Sequence, residues 1–231
     1  MKVVILAGGL GARLPEETEI KPKPMVEVGG RPILWHIMQH YSHFNFNHFV
    51  VALGSRGEMI KKFMLEYNTL NSDMTVKPQS GQVMYHSNDQ QEWTVELIDT
   101  GQATQTGGRI KRIARYVGDQ RFFLAWGDGV TDLNVCHLLD FHKQHGKLCT
   151  VAVVRPPARF GHMQFEGDQV MRFSEKPQTA EGWINGAIFV CEPGVFDYID
   201  GDDTLWEREP MERLAADEQL VAYKYEGFWQ C

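Results

Sequence analysis

Near its start the chain of 231 residues reads Lys2-Val3-Val4-Ile5-Leu6-Ala7-Gly8-Gly9-Leu10-Gly11-Ala12-Arg13. The apolar run up to Ala7 is typical of a buried strand, and the glycines that follow end it in a turn. Glycines allow backbone N–H groups to approach phosphate oxygens without a Cβ in the way. Arg13 follows the last glycine by two residues, so its guanidinium can neutralise charge that the amides leave uncompensated. This stretch therefore predicts a strand that leads into a phosphate-binding loop.

Other readings of this loop are weaker but remain open at this point. An ordinary turn between a strand and a helix has the same composition. The spacing of Gly8, Gly9 and Gly11 does not match the dinucleotide fingerprint of Rossmann oxidoreductases, and no Gly-Lys-Ser/Thr follows as in a Walker loop.

The rest of the chain alternates strand-like apolar runs with runs at helical spacing. Strands are predicted at 2–7, 49–53, 95–98, 122–126, 150–154 and 220–225, and helices after Pro32 and at 58–67, 110–117, 135–145 and 206–217. This alternation predicts an α/β fold with a mostly parallel sheet flanked by helices. Short strands between 163 and 190 predict a smaller antiparallel subregion on the sugar side, and the polar stretch 70–93 predicts an irregular insertion over a site.

Composition excludes several classes of protein. With 43% hydrophobic and 23% charged residues, the chain is expected to form one globular domain, 1–231. A net charge of −7 disfavours nucleic acid as a partner. The four scattered cysteines resemble neither a zinc site nor a disulfide framework, and no apolar run is long enough for a signal peptide or a membrane span. A cytoplasmic protein is therefore expected.

A second motif, Lys21-Pro22-Lys23-Pro24-Met25, places two lysines between two prolines. Because proline fixes φ and disfavours a helix, the segment is stiff. It is either a rigid phosphate anchor or a proline-stiffened surface loop. Further along, Asp128 follows a buried strand and lies between two glycines, where a carboxylate can hold Mg²⁺ or simply form a polar turn.

These motifs, in this order, resemble the sugar nucleotidyltransferase family over the whole chain. The resemblance rests on the first loop with Leu14, on 21–25 and on Gly30-Arg31-Pro32-Ile33-Leu34. Further strings resemble the glucose-1-phosphate cytidylyltransferase branch of that family: Pro15-Glu16-Glu17-Thr18, Trp35-His36-Ile37-Met38, Asp99-Thr100-Gly101, Thr106-Gly107-Gly108-Arg109, Gly127-Asp128-Gly129, Ile184-Asn185-Gly186 and Gly227-Phe228-Trp229-Gln230.

The resemblance implies a Rossmann-like domain and the reaction of CTP with α-D-glucose 1-phosphate to give CDP-glucose and pyrophosphate, with Mg²⁺ as cofactor. It implies a nucleotide-binding half at about 1–130, a sugar-phosphate-binding half at about 131–231 and a homo-oligomer. It also implies a C-terminal extension with a second metal-binding aspartate beyond Cys231, where the given sequence stops. Alternatives are the same chemistry with UTP, dTTP or another sugar 1-phosphate, and a non-catalytic sensor of nucleotides or sugar phosphates.

The family's functional residues fall on matching positions of this sequence. Catalytic roles are implied for Arg13, Lys23 and Asp128, with Asp128 also holding Mg²⁺. The implied nucleotide-binding residues are Leu6, Ala7, Gly8, Gly9, Leu10, Gly11, Ala12, Arg13, Lys23, Thr104, Arg109 and Gly127. The implied sugar-phosphate-binding residues are Phe160, Gly161, Glu175, Lys176, Asn185 and Gly186.

Overall fold

The computed structural model describes residues 1–9, 21–86, 91–155, 162–166, 168–174 and 182–231. Within these ranges the strands are β1 (Lys2–Ala7), β2 (Glu27–Val28), β3 (Arg31–Pro32), β4 (His48–Leu53), β5 (Met74–Lys77), β6 (Gln82–Tyr85), β7 (Thr94–Asp99), β8 (Phe122–Trp126), β9 (Val130–Thr131), β10 (Cys149–Val154), β11 (His162–Glu166), β12 (Gln169–Ser174), β13 (Ile184–Cys191), β14 (Leu220–Tyr225) and β15 (Trp229–Gln230). The helices are α1 (Ile33–His43), α2 (Gly57–Asn71), α3 (Thr106–Arg112), α4 (Ala114–Val117), α5 (Val135–His145) and α6 (Glu209–Ala216).

Seven strands form the central sheet, in the order β14-β10-β13-β8-β1-β4-β7. Its neighbours pair in parallel except at β13, which runs antiparallel to both β8 and β10. The predicted α/β fold with a mixed, mostly parallel sheet flanked by helices is confirmed. Strands from both predicted halves of the chain belong to this one sheet.

The core lies on both faces of the sheet, which explains why its central strands are apolar along their whole length. Alternate residues of β1 point to opposite faces, so Val3 and Ile5 pack in one cluster while Val4 and Leu6 pack in the other. The first cluster includes apolar residues of α1, α2 and α5, and the second includes residues of α3, α4 and α6.

Local sequence explains where several helices begin and end. The Asn134 side chain accepts hydrogen bonds from the backbone N–H groups of Cys136 and His137, at 3.0 and 3.2 Å, and so caps α5. Gly146, with φ of 65°, ends that helix. The predicted bounds of α5 are therefore confirmed.

Two predicted helices differ from those observed. The run 110–117 divides at Ile113 into α3 and α4, and α3 already begins at Thr106. The run 206–217 is helical only from Glu209, because Pro210 has no N–H and therefore belongs in the first turn. Trp206 lies before the helix and is fully buried instead.

The prediction that 70–93 is irregular is wrong. Strands β5 and β6 form an antiparallel hairpin whose residues are all exposed. Alternation was hard to detect there because neither face of the hairpin is buried. The described residues of this stretch line neither of the two cavities that adjoin Asp128.

The predicted antiparallel subregion is smaller than expected. Strands β11 and β12 form a separate two-stranded sheet, but β13 joins the central sheet between β8 and β10. Among the described helices, none has both the length and the apolar character needed to cross a membrane.

Candidate active site

A cavity of about 290 Å³ opens at the carboxyl edge of the sheet, where β1, β7 and β8 end. Ligands of open α/β sheets bind at this edge. The lining consists of Leu6, Ala7, Gly8, Gly9, Lys23, Pro24, Gln102, Ala103, Thr104, Gln105, Thr106, Arg109, Trp126, Gly127 and Asp128.

The described residues predicted to bind the nucleotide all line this cavity. They are Leu6, Ala7, Gly8, Gly9, Lys23, Thr104, Arg109 and Gly127, and Asp128 joins them. The predicted residues Leu10, Gly11, Ala12 and Arg13 lie outside the described part of the chain. The same is true of Phe160, Gly161, Glu175 and Lys176.

Lys23 and Asp128 meet across the cavity although 105 residues separate them. Lys23 Nζ lies 3.2 Å from Asp128 Oδ2, and the two side chains are 24% and 23% exposed. Lys23 begins a short 3₁₀ turn that is bounded by Pro22 and contains Pro24. Lys21 differs, because it pairs with Glu27 at the surface. The rigid segment thus directs one lysine of the two into the cavity.

Gly127, just after β8, forms a hydrogen bond with the end of β1. Its N–H donates to the carbonyl of Leu6 at 2.9 Å, and a Cβ at this position would lie 2.8 Å from the same oxygen. Glycine is therefore required for the approach of the two strand ends that sets the position of Asp128.

The loop between β7 and α3 forms the opposite wall. Gln105 and Gly107 donate backbone hydrogen bonds to the carbonyls of Asp202 and Thr204, at 2.8 and 2.9 Å. A Cβ on Gly108 would lie 2.5 Å from the Asp202 oxygen. The two glycines of the Thr-Gly-Gly-Arg string therefore allow close backbone packing.

Arg109 is 4% exposed, and its guanidinium lies between the strand-end loops. It donates to the Leu53, Gly101, Gly8 and Gln102 carbonyls and to Thr100 Oγ1. Burial lowers the pKa of Arg109, and the nearby Asp99 opposes this effect. Because the ordinary pKa of arginine lies far above neutrality, the side chain stays charged near pH 7.

Asn185 and Gly186, predicted on the sugar side, do not line this cavity. Asn185 Oδ1 accepts from the Ala187 N–H at 2.8 Å, and the Gly186 carbonyl accepts from Trp229 Nε1 at 2.8 Å. Trp229 lies in β15, which pairs with β9 directly after the Gly-Asp-Gly turn. The sugar-phosphate role of Asn185 and Gly186 stays a prediction.

A second, more apolar cavity of about 470 Å³ lies on the other side of that turn. It shares Asp128 with the first cavity and also contacts Gly129. Phe228 and Gln230, from the Phe-Trp-Gln string, line it together with residues of α1. The string therefore lies beside Asp128.

Several residues of the first cavity were missed by sequence reasoning. Trp126 lines it, and its Nε1 donates to Glu207 Oε1 at 3.0 Å. Glu207 also accepts from Thr106 Oγ1 at 2.5 Å. The position of Trp126 at the end of a buried strand was the available signal, whereas Glu207 has no motif around it.

The chemistry of the lining is electrostatic. Its described residues supply a lysine, a buried arginine and one carboxylate, but no serine, cysteine or histidine. Nor do the described residues contain a group of three or more side chains suited to a metal ion. The lysine and the arginine suit the cavity to an anionic ligand.

Comparison with known proteins agrees with this arrangement. The model of the nucleotidyl transferase family matches residues 2–229. A glucose-1-phosphate cytidylyltransferase from Salmonella typhi is 48% identical over 231 residues, covering 100% of this chain and 90% of the relative. A probable glucose-1-phosphate cytidylyltransferase from Bacillus subtilis is 40% identical over 230 residues, covering 99% of this chain and 90% of the relative.

The fold also matches solved structures. The crystal structure of HddC from Yersinia pseudotuberculosis superimposes with a TM-score of 0.70, at 21% identity, and the match covers 99% of this chain and 92% of that chain. At this identity the likeness bears on the fold alone. The family model and the relatives, both matched over almost the whole chain, identify it as a member of the nucleotidyl transferase family.

Proposed function

We propose that this chain transfers CMP from CTP to α-D-glucose 1-phosphate, giving CDP-glucose and pyrophosphate. The observation that carries the reaction class is the contact between Lys23 and Asp128 beside the glycine loop, in a cavity whose described lining has no serine, cysteine or histidine. The choice of CTP and glucose 1-phosphate rests on the names of the relatives.

In this reaction an oxygen of the sugar phosphate attacks the α-phosphorus of CTP. A new P–O bond forms, the bond between the α-phosphorus and the bridging oxygen breaks, and pyrophosphate leaves with that oxygen. Because the attacking phosphate is already anionic, no general base is needed. Catalysis then consists of holding two anions together and stabilising the charge on the leaving group.

The protein's own groups divide this work. Backbone groups of Gly8 and Gly9 face the cavity and are suited to the phosphates. The Lys23 ammonium, on a stiff turn, would neutralise triphosphate charge. By family resemblance, Arg13 would stabilise charge that develops on the α-phosphate and pyrophosphate.

Asp128 fits the magnesium ion that the resemblance implies. Its carboxylate already faces a cation, the Lys23 ammonium, and it lies between two glycines at the end of a strand. One carboxylate together with nucleotide phosphates and waters is an ordinary ligand set for Mg²⁺. When bound, the ion would neutralise phosphate charge and orient the triphosphate.

The remaining parts of the proposal rest on resemblance. Phe160, Gly161, Glu175, Lys176, Asn185 and Gly186 would bind the sugar phosphate, with Lys176 paired to its phosphate. The protein would act as a homo-oligomer in the cytoplasm.

The test is pyrophosphate release from glucose 1-phosphate and Mg²⁺ with CTP, UTP, dTTP, ATP and GTP in separate reactions. Release with CTP far above the others is expected. Release with another nucleotide would keep the reaction class and overturn the choice of base. Binding of CTP without release from any nucleotide would favour a sensor.

A further inference from the structure

We propose that Arg109 is a positioning residue, which fixes the loops after β1, β4 and β7 relative to one another and so orients the amides that receive the nucleotide. This role adds to the nucleotide-binding role expected from resemblance. The inference deepens the proposed function and rests on it for its kinetic test alone.

The first observation is that the terminal nitrogens of Arg109 are fully used within the protein. One donates to Leu53 O at 3.0 Å, to Thr100 Oγ1 at 2.7 Å and to Gly101 O at 2.7 Å. The other donates to Gly8 O at 2.9 Å and to Gln102 O at 3.2 Å. Two such nitrogens carry four hydrogens, and five acceptors surround them. No hydrogen on either nitrogen is left for a phosphate oxygen.

The second observation concerns the origin of these acceptors. They come from the ends of three separate strands: Gly8 follows β1, Leu53 ends β4, and 100–102 follow β7. A single planar group therefore connects three loops that share no sequence neighbourhood. Lysine, with three hydrogens on one nitrogen, cannot span the same set of acceptors.

The third observation is the space that two glycines leave for the guanidinium. A Cβ on Gly8 would lie 2.4 Å from Arg109 Cζ, and a Cβ on Gly54 would lie 2.5 Å from an Arg109 terminal nitrogen. Neither glycine has a positive φ. At Gly8 the three nearest atoms to such a Cβ all belong to Arg109, so the arginine is the reason that a side chain does not fit; at Gly54 the carbonyl oxygen of Gly8, at 2.6 Å, excludes it as well.

The link to function follows from peptide geometry. In a trans peptide the C=O and the following N–H point in opposite directions. The carbonyls of Gly8 and Gln102 point at the guanidinium, so the N–H groups of Gly9 and Ala103 point away from it. Both residues line the cavity, and neither N–H has a protein acceptor among the described residues. The hydrogen bonds of Arg109 to these two carbonyls therefore orient two amide donors towards the place where an anion would bind.

The kinetic test compares Arg109→Lys and Arg109→Met with Arg115→Met, an exposed arginine of the following helix α4 that contacts Tyr116. We expect both Arg109 variants to raise the KM for CTP by about tenfold or more, because lysine keeps the charge but loses the planar set of donors. The KM for glucose 1-phosphate should change by less than about threefold, and Arg115→Met should change neither constant. A KM for CTP in Arg109→Lys within about twofold of the parent would overturn the proposal, since charge alone would then suffice.

A double-mutant cycle tests the packing against Gly8. Gly8→Ala must displace the guanidinium, so it should raise the KM for CTP about as much as Arg109→Met does. The double variant Gly8→Ala/Arg109→Met should have a KM for CTP no higher than that of either single variant, because each change removes the same hydrogen bonds between the loops. Effects that multiply would contradict the proposal.

Hydrogen exchange of the unliganded protein provides a readout that needs no substrate. In Arg109→Lys the amides of Thr100 and Gly57, which donate to Leu53 O and Gly54 O in the connected loops, should exchange about tenfold faster, whereas amides in the middle of β1 and β8 keep their parent rates. Unchanged exchange at Thr100 and Gly57 would overturn the proposal. This result is separate from the proposed function, because it stands or falls even if the parent chain turns over no CTP.

Discussion

A basic side chain is buried at the carboxyl edge of the central sheet and another at the amino edge, and the two differ in their hydrogen-bond partners. At the carboxyl edge Arg109 donates to four backbone carbonyls and a threonine hydroxyl. At the amino edge His142, 1% exposed, contacts Thr150 Oγ1 at 2.8 Å and Glu192 Oε1 at 3.3 Å. Glu192 also accepts from Arg121 Nε at 2.6 Å.

Burial lowers the pKa of both groups, with opposite consequences for charge. The ordinary pKa of arginine is so high that Arg109 stays protonated. Burial, only partly opposed by the hydrogen bond to Glu192, lowers the pKa of His142 to about 4, so this ring is neutral near pH 7. The carboxyl edge therefore keeps a permanent positive charge beside the cavity, and the amino edge keeps a neutral ring in a stabilising network. Substitutions at the first edge should change activity, and substitutions at the second should change stability.

The largest effect is expected at the carboxyl edge for Asp128→Asn. Loss of this carboxylate should lower kcat by about 10²–10³-fold, as for other groups that act on transition-state charge. The unfolding midpoint should stay close to that of the parent, because the side chain is partly exposed and its pairing with Lys23 is easily replaced by water. Asp140→Asn, on the exposed side of α5, is the matched control and should leave kcat unchanged. Equal activity of the two variants would remove Asp128 from the proposed machinery.

A second pair of variants compares the two lysines of one motif. Lys23→Ala should lower kcat/KM for CTP by about 10²-fold, since it removes the ammonium from the cavity. Lys21→Ala should have an effect below about twofold, because Lys21 only forms a surface pair with Glu27. Steady-state kinetics at fixed glucose 1-phosphate measure both. Similar losses in the two variants would mean that net charge, rather than the position of Lys23, matters.

The two glycines that flank Asp128 should differ in how well they tolerate a side chain. Gly127→Ala would place a Cβ 2.8 Å from Leu6 O, so it should separate the ends of β1 and β8 and lower kcat/KM about tenfold. A Cβ on Gly129 would have its nearest neighbour at 3.9 Å, so Gly129→Ala should change kcat/KM by less than about twofold. If Gly129→Ala were the more harmful variant, the approach of the strand ends would not be what positions Asp128.

The smallest effect on activity is expected at the amino edge, where acid should instead lower stability. Below an ordinary pKa of 6.5 the unfolded chain protonates His142, whereas the folded protein does so only near pH 4. The unfolded state thus binds more protons, and stability falls as the pH drops from about 6.5 to about 4. Each unit of difference in pKa corresponds to about 1.4 kcal/mol.

Unfolding midpoints measured between pH 7 and pH 5 test this. His142→Gln should flatten the pH dependence, and His137→Gln, an exposed residue of the same helix, should not. The nearby His145, whose pKa is also lowered by burial, contributes in the same direction and will leave part of the slope. A slope unchanged in His142→Gln would show that other groups cause the acid sensitivity.

The sequence predicted the fold best where a pattern is set by burial on both sides. The strands Lys2–Ala7 and Phe122–Trp126 match the predicted bounds because every residue in them except Lys2 packs in one of the two apolar clusters. The hairpin β5–β6 escaped prediction because both of its faces are exposed. The division of 110–117 at Ile113 also carries no glycine or proline signal.

Prediction of the site followed the same rule. Lys23, Gly127 and Asp128 lie in motifs with a local physical meaning, and they do line one cavity. The partners of Arg109 are mostly backbone carbonyls. Because every residue has one, these partners cannot be identified from the sequence. Gly54, which leaves room for that guanidinium, looks like an ordinary turn residue until the three loops are seen together.

The fate of the phosphorus atoms of CTP tests the central claim most directly. The chain is incubated with glucose 1-phosphate, Mg²⁺ and CTP labelled with ³²P at either the α or the γ position. The account predicts that the α label appears in a sugar nucleotide and the γ label in pyrophosphate. A γ label transferred to the sugar phosphate, or CTP that is bound but keeps both labels, would contradict it.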